Sequence, residues 1–428
     1  MELDIPHGRI MFKVIETFSG IGAQAKALER IGIEHEIVNT CDWDVNAIIA
    51  YCKIHKGKID LSKYEDISDE EIEEYLKVLT LSMDGKKPIN EKTYKALSND
   101  FKRILYASIQ ETKNLVSITD VHGDHIQEDI DLFTYSFPCQ DLSLCGCWHG
   151  NKSGISRDAH NRSGMLWEVE RILKEMHTAK RKLPHFLIME NVTNILSKTH
   201  EDDFNDWKST LTDLGYFNKI YRLNAKNFGV PQKRERAYMV SILCNGDIDK
   251  IMKLNQYFLQ DGPNDLENVE VAKNKRARDF CLKDVLKLDY SRKEYAEEAN
   301  KSQPNDTPSR RKIREENDIL FNGVNINEMF VNTVTTKQDR NPNSGLILYE
   351  NGVEGKSKWR YLTPRECFML MGFDEDDYIK ACSENLEYRK GRQLLSQEKM
   401  IKMAGNSICV DVLEALFKQI LEINDMIF

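Results

Sequence analysis

Phe12-Lys13-Val14-Ile15-Glu16-Thr17-Phe18-Ser19-Gly20-Ile21-Gly22 is the stretch that decides the fold. An apolar run with strand character enters a glycine turn, and the turn opens a helix from Ala23 to Arg30. A second strand-like run follows at Glu36 to Thr40, and residues 44–54 read as helical. Strand, turn, helix and strand in this order predict a parallel α/β sheet with right-handed crossovers. Gly20-x-Gly22-x-x-Ala25 fits a nucleotide-binding fingerprint, and Asp42 lies about twenty residues on, where an acid would hold ribose hydroxyls. A tight helix–sheet contact accounts for the same glycines, and the fingerprint does not separate a dinucleotide from another adenosine cofactor. Trp43 either stacks on an adenine ring or fills the core.

Outward from that stretch, residues 57–115 interrupt the rhythm. Ser68 with Glu71 forms a capping box, and Ile72, Tyr75, Leu76 and Leu79 mark one helical face, so this reads as a charged helical insertion. Alternation resumes with a strand at Asp131 to Ser136. A helix then carries Leu166, Val169, Ile172, Leu173 and Met176 on one face. A strand Phe186 to Met189 leads into Glu190-Asn191-Val192. A helix near Asp203 to Leu214 and a strand pair near Asn218–Leu223 and Ala237–Leu243 follow. The composition turns polar and basic after Gly246, and a long helix runs from Val410 to about Asn424.

The chain has 428 residues, 41% hydrophobic and 30% charged, enough for one large domain or two. No apolar run approaches the ~20 residues of a membrane helix, and Met1 to Lys13 lacks a secretory apolar core. Ten cysteines are too sparse for a disulfide scaffold, so a reducing cytoplasm with free thiols is expected. The net charge of −9 argues mildly against nucleic acid, but a phosphate backbone needs only a local basic face. Two clusters offer one: Lys273, Lys275, Arg276 and Arg278, then Arg310, Arg311, Lys312 and Arg314.

Gly20, Asp42, Asp120, Cys139 and Glu190 each fall just after a predicted strand, the edge where open α/β sheets bind ligands. Phe137-Pro138-Cys139-Gln140 places a thiol there, and Glu190 adds a carboxyl group. Arg234 and Arg236, on one face of a strand, either supply a field that raises the thiolate fraction or form an exposed basic turn. Thiol, carboxyl and guanidinium together suit covalent attack on an electrophilic ring, with the carboxyl group protonating a ring nitrogen.

At this point the chain resembles the C5-cytosine DNA methyltransferases. The resemblance rests on six motifs in order: Phe18-Ser19-Gly20-Ile21-Gly22, Pro138-Cys139-Gln140, Glu190-Asn191-Val192, Gln232-x-Arg234-x-Arg236, Arg360-x-Leu362-Thr363-Pro364-Arg365-Glu366, and Gly405-Asn406-Ser407. It covers residues 11–245 and 355–425. It implies a Rossmann-like class I methyltransferase sheet with a second, smaller target-recognition domain. The expected catalytic part is 11–245 completed by 395–428, with recognition in 246–394. It also implies that Cys139 attacks C6 of a flipped-out cytosine, Glu190 protonates N3, Arg236 holds the base with Arg234 nearby, and Asn191 positions Glu190.

The implied cofactor is S-adenosylmethionine. Phe18 and Trp43 would flank its adenine, Asp42 the ribose, Asp120 the adenine amino group and Asn406 the methionine end, with Ser19, Gly20, Gly22, Pro138 and Ser407 completing the site. Leu144 to Gly164 would be a loop closing on DNA, with Gln140, Ser143 and Arg162 as contacts. Thr333, Thr335, Gln338 and Arg340 are the candidates for base contact, Arg340 to guanine and Gln338 to adenine. The expected partners are double-stranded DNA and a separate cognate restriction endonuclease, with no membrane and a monomeric, cytoplasmic protein. Cys145, Cys147 and His149 match no common zinc spacing, and no metal is expected. An RNA cytosine methyltransferase, a catalytically silent DNA-binding relative and a dinucleotide oxidoreductase are the rival readings.

Overall fold

The computed structural model describes residues 11–138, 142, 154–157, 162–317, 319–321, 326–341 and 343–428, the side chains of 162, 163 and 319–321 excepted. The centre is a six-stranded sheet. Its strands are β1 (Phe12–Thr17), β2 (His35–Cys41), β3 (Leu132–Tyr135), β4 (Phe186–Val192), β5 (Tyr216–Asn224) and, after the short β6 (Gln232–Lys233), β7 (Glu235–Leu243). They lie in the order β2-β1-β3-β4-β7-β5. The first four run parallel, whereas β7 is antiparallel to both β4 and β5. The expectation of a parallel sheet is therefore corrected to a mixed one. The reason is local: β5 returns to β7 through residues 225–234 with no crossover helix long enough to span the sheet, and such a return pairs antiparallel.

The inner strands are buried on both faces, as their continuous apolar sequence requires. Side chains alternate between two cores. Val14, Leu132, Phe186 and Ile188 join the core under α1 (Ala23–Ile31), α2 (Val45–His55) and the C-terminal helix, while Ile15, Phe133, Leu187 and Met189 join the other. The insertion is helical, as read: α3 (Asp69–Lys77), α4 (Glu91–Lys95) and α5 (Asn99–Glu111). Ser68 and Glu71 form the expected capping box, and Ile72 and Leu76 are buried. The second core is completed by α6 (Leu166–Thr178) and α7 (Glu201–Asp213), and all five apolar positions predicted on α6 are buried.

Beyond β7 come α8 (Ile248–Tyr257), α9 (Val269–Lys275), α10 (Leu282–Val285), α11 (Lys293–Ser302) and α12 (Pro308–Glu315). Small sheets follow: β8 (Ile319–Phe321), β10 (Leu346–Leu348) and β11 (Trp359–Arg360) form one, and β9 (Val331–Asn332) pairs with β6. The chain then returns through α13 (Pro364–Leu370), α14 (Glu375–Cys382), α15 (Gln397–Asn406) and α16 (Val410–Ile427). α16 packs on α1, α14 on α2, and α13 on α15. Residues 364–382, set with the recognition part by sequence, thus lie against helices that flank the main sheet. Among the described residues no helix is long and apolar enough to cross a membrane.

Candidate active site

Three sheet strands supply the site. Glu190 sits inside β4, not after it, and pairs across the ladder with Tyr238. Two residues further, Val192 faces Arg236 at the start of β7. This register brings Arg236 Nε to 3.4 Å from Glu190 Oε1. Burial raises the Glu190 carboxyl above its usual range, partly offset by Arg236 and Arg234. Among the described residues no hydrogen bond satisfies the Glu190 oxygens beyond this one ion pair. A carboxyl group biased toward its neutral form, beside a guanidinium, can donate to and protonate a heterocyclic nitrogen.

Cys139 and Gln140 lie outside the described residues, as do Ser143, Cys145, Cys147, Trp148, His149 and the side chain of Arg162. The backbone on either side of residues 139–141 is held from the end of β4. Asn191 Nδ2 donates to Phe137 O at 3.0 Å, and Asn194 Nδ2 donates to Leu142 O at 2.8 Å. Asn191 thus ties the end of β4 to the backbone of Phe137. Asn194 was not anticipated; its only sequence signal is a second asparagine three residues after the first.

At the neighbouring edge the first turn is tightly built. Phe18, Gly20 and Gly22 all have positive φ, and a Cβ at Gly22 would sit 2.2 Å from His55 Nε2. Gly20 N donates to Asp42 Oδ2 at 2.9 Å, Asp44 N donates to Asp42 Oδ1 at 2.8 Å, and Ser19 N donates to Cys41 O. Asp42 thus staples the β1 turn to the end of β2. Its burial, with Asp44 close by, pushes its carboxyl up to about 6. Trp43 is half-buried against the first core and Phe18 against the second. Asp120 follows no strand; it ends a single helical turn and is exposed, because the strand-like bridge stops at Asn114 opposite Thr40. Arg171 on α6 holds that turn by donating to Val121 O at 2.7 Å. Pro138 is half-buried.

Asn406 is the exposed last residue of α15, and Ser407 caps it and is buried. Lys402 draws α15 to the first edge through Asp44, 2.9 Å away. A Cβ at Gly20 would meet nothing within 4 Å, so the turn has room beside it for a ligand. The lysine nearest in sequence, Lys26, is engaged by Asp374 and Asp377 rather than free to grip a phosphate.

Arg234 does not face the site as Arg236 does. It is 4% exposed and donates to three backbone carbonyls, those of Val334, Gly405 and Ser407. Burial, with Arg236 nearby, pulls its guanidinium down to about 10. Thr333 and Thr335 donate their hydroxyls to Lys233 O and Lys337 O. Gln338 is buried and bonded to Ser344, so it shapes the loop from inside, whereas Arg340 is exposed. The first basic cluster is largely neutralised: Lys275 pairs with Glu422, Arg276 with Asp279, and Arg278 with Asp374 and Asp411. Among the described residues no group of three or more His, Cys, Asp or Glu could hold a metal ion.

The chain is similar to known proteins along almost its whole length. The model of the C-5 cytosine-specific DNA methylases matches residues 12–84 and 87–422. The orphan methyltransferase M.SssI of Spiroplasma monobiae is 34% identical over 415 residues, which cover 95% of this chain and 97% of that one. The type II methyltransferase M2.ScrFI of Lactococcus lactis subsp. cremoris is 31% identical over 96% of this chain and 99% of its own. Among solved structures, the S. pombe Dnmt2 methyltransferase shares the fold with a TM-score of 0.53 at 19% identity, covering 96% of this chain and 99% of that chain. With a carboxyl–guanidinium pair at the sheet edge and a family match along almost its whole length, the chain belongs to the C-5 cytosine-specific DNA methylase family and is a DNA cytosine-5 methyltransferase.

Proposed function

We propose that the chain methylates carbon 5 of a cytosine flipped out of a short specific sequence in double-stranded DNA, through a covalent bond from Cys139 to C6. The observation that carries this reading is the Glu190–Arg236 pair, set beside a segment whose flanks are held by Asn191 and Asn194. The Cys139 thiolate adds to C6 while Glu190 gives its proton to N3, so the ring electrons collect at C5. Arg236 holds the base and the charge that develops on it. Bound S-adenosylmethionine supplies an electrophilic methyl group for C5. Loss of the C5 proton to solvent, departure of the thiolate and return of the N3 proton to Glu190 restore the aromatic ring and the starting carboxyl group. Because C6 is shielded inside a duplex, the base leaves the stack first, at a cost of a few kcal/mol.

Phe18, Ser19, Gly20, Gly22, Asp42, Trp43, Asp120, Pro138, Asn406 and Ser407 would hold the cofactor. Residues 11–245 with 395–428 form the catalytic part and 246–394 the recognition part, with 364–382 of the latter packed against helices of the former. Arg340, Thr333, Thr335, Gln140, Ser143 and Arg162 are the DNA contacts in this reading. A monomer acting in the cytoplasm, alongside a separate endonuclease of the same specificity, completes it.

The test is Cys139→Ala. Methyl transfer to duplex DNA should disappear while titration with S-adenosylmethionine still shows binding. Undiminished turnover would refute the nucleophile, and transfer to tRNA but not to duplex DNA would refute the substrate.

A further inference from the structure

Two side chains of the Gln232-x-Arg234-x-Arg236 motif grip one residue of the distant segment 331–341. Gln232 is fully buried; its Oε1 accepts from Val334 N at 2.7 Å and its Nε2 donates to Leu370 O at 2.6 Å. Arg234 Nη1 donates to Val334 O at 3.0 Å. The only two hydrogen-bonding groups of the Val334 backbone are therefore both taken by this motif. The pairing of β6 with β9 continues the grip, with Gln232 opposite Val331 and Lys233 opposite Asn332.

Arg234 is unusual for a buried arginine, because no carboxylate lies within ion-pair distance of it among the described residues. Its other nitrogen, Nη2, donates to Gly405 O at 3.2 Å and Ser407 O at 2.8 Å. The end of α15 also touches the same segment directly. A Cβ at Gly405 would lie 2.5 Å from Thr335 C and O and 2.6 Å from Thr336 N. Residues 334–336 are thus clamped from below by Gln232 and Arg234 and from the side by Gly405. A buried charge kept without a counter-charge is costly, and three carbonyl dipoles converging on it are what the fold offers in return.

We propose that Gln232 and Arg234 are positioning residues for sequence recognition. They fix the backbone of Val334, and so set the height and register at which Thr335 to Arg340 meet the bases. The inference rests on reading residues 333–340 as the base-contacting segment. Base readout needs donors placed to hydrogen-bond tolerance, so a loosened segment loses discrimination before it loses chemistry.

The experiment is methylation of a random-sequence duplex library by the full chain, read by methylation-sensitive sequencing, with kcat and KM then measured on the best duplex. The wild type should prefer its best sequence over single-base variants by about 5-fold or more at each recognised position. Arg234→Met should flatten that preference and raise KM by more than it lowers kcat, and Arg234→Lys should restore part of it. Gly405→Ala, which leaves Arg234 in place, should broaden the sequence profile in the same direction, and it carries the test if Arg234→Met does not fold. A selective wild type with an equally selective Arg234→Met or Gly405→Ala would overturn the clamp while leaving cytosine methylation intact. A wild type that methylates every cytosine context alike would overturn both the clamp and the recognition reading beneath it.

Discussion

Two arginine–glutamate pairs in this molecule differ in what they leave undone. Arg360 and Glu366 are both 0% exposed and meet through two bonds of 2.9 and 2.8 Å. Arg360 also reaches the Tyr290 hydroxyl and Tyr361 O, and Glu366 accepts from Thr363 N and Lys287 N. Thr363 and Glu366 form the capping box of α13, so the pair is a closed knot. Arg236 and Glu190 meet once, at 3.4 Å, with 15% and 10% of their side chains exposed. Closed, the first pair can only stabilise. Open, the second keeps, among the described residues, lone pairs on Glu190 that a ligand can use near the carboxyl ends of the strands.

The comparison breaks if the open pair proves structural or the closed pair catalytic. Glu190→Gln should lower single-turnover methyl transfer by about 10³-fold or more, because the proton donor is lost. Its melting temperature should hold or rise, since a buried, half-satisfied carboxyl group is removed. A large fall in melting temperature with modest loss of rate would erase the distinction. Arg360→Met should do the opposite. Leaving Glu366 buried without its partner should cost about 3–5 kcal/mol of stability in urea unfolding. The rate per folded molecule should change little.

A smaller effect concerns a third carboxyl group, which pairs with no arginine among the described residues. Glu16 on β1 is fully buried, and burial pushes it up to about 8, partly offset by the Tyr51 hydroxyl beside it. The folded protein keeps this proton between the ordinary value of 4.5 and about 8, where the unfolded chain releases it. Stability from this group is therefore present at low pH and is lost as pH rises through that window. Glu16→Gln should flatten this decline in melting temperature between pH 5 and 8; an identical slope in wild type and variant would show that the group ionises freely.

Much of the catalytic half was legible in sequence. The approximate limits of β1, α1 and β2 and the buried face of α6 emerge from apolar periodicity, which burial on a two-faced sheet enforces. Glu190, Asn191 and Arg236 stood out through the motifs that contain them, although Glu190 and Asn191 lie inside β4 and not beyond its end. Less legible were contacts made across long sequence separations. Nothing local distinguishes Arg234 from Arg236, two residues away on the same motif, yet one closes on carbonyls and the other faces the carboxyl group. Gln338 and Arg340 pose the same problem, since a loop alternates its side chains by turn geometry, not by a fixed period. The cluster at Lys273 to Arg278 read as a basic surface because its acidic partners, Asp374, Asp411 and Glu422, lie about a hundred residues or more away in the chain.

By itself the sequence determined the chemistry on offer: a thiol, a carboxyl group and guanidinium groups at the ends of strands, with a glycine turn beside them. Those are properties of residue type and short spacing, which local periodicity preserves. Only the tertiary structure decided which arginine meets Glu190, that the last two strands of the sheet run antiparallel to their neighbours, and that Val334 is held by Gln232 and Arg234 across about a hundred residues. Such choices depend on which surfaces are left to pack once the two cores have closed, and no segment of the chain carries that information alone.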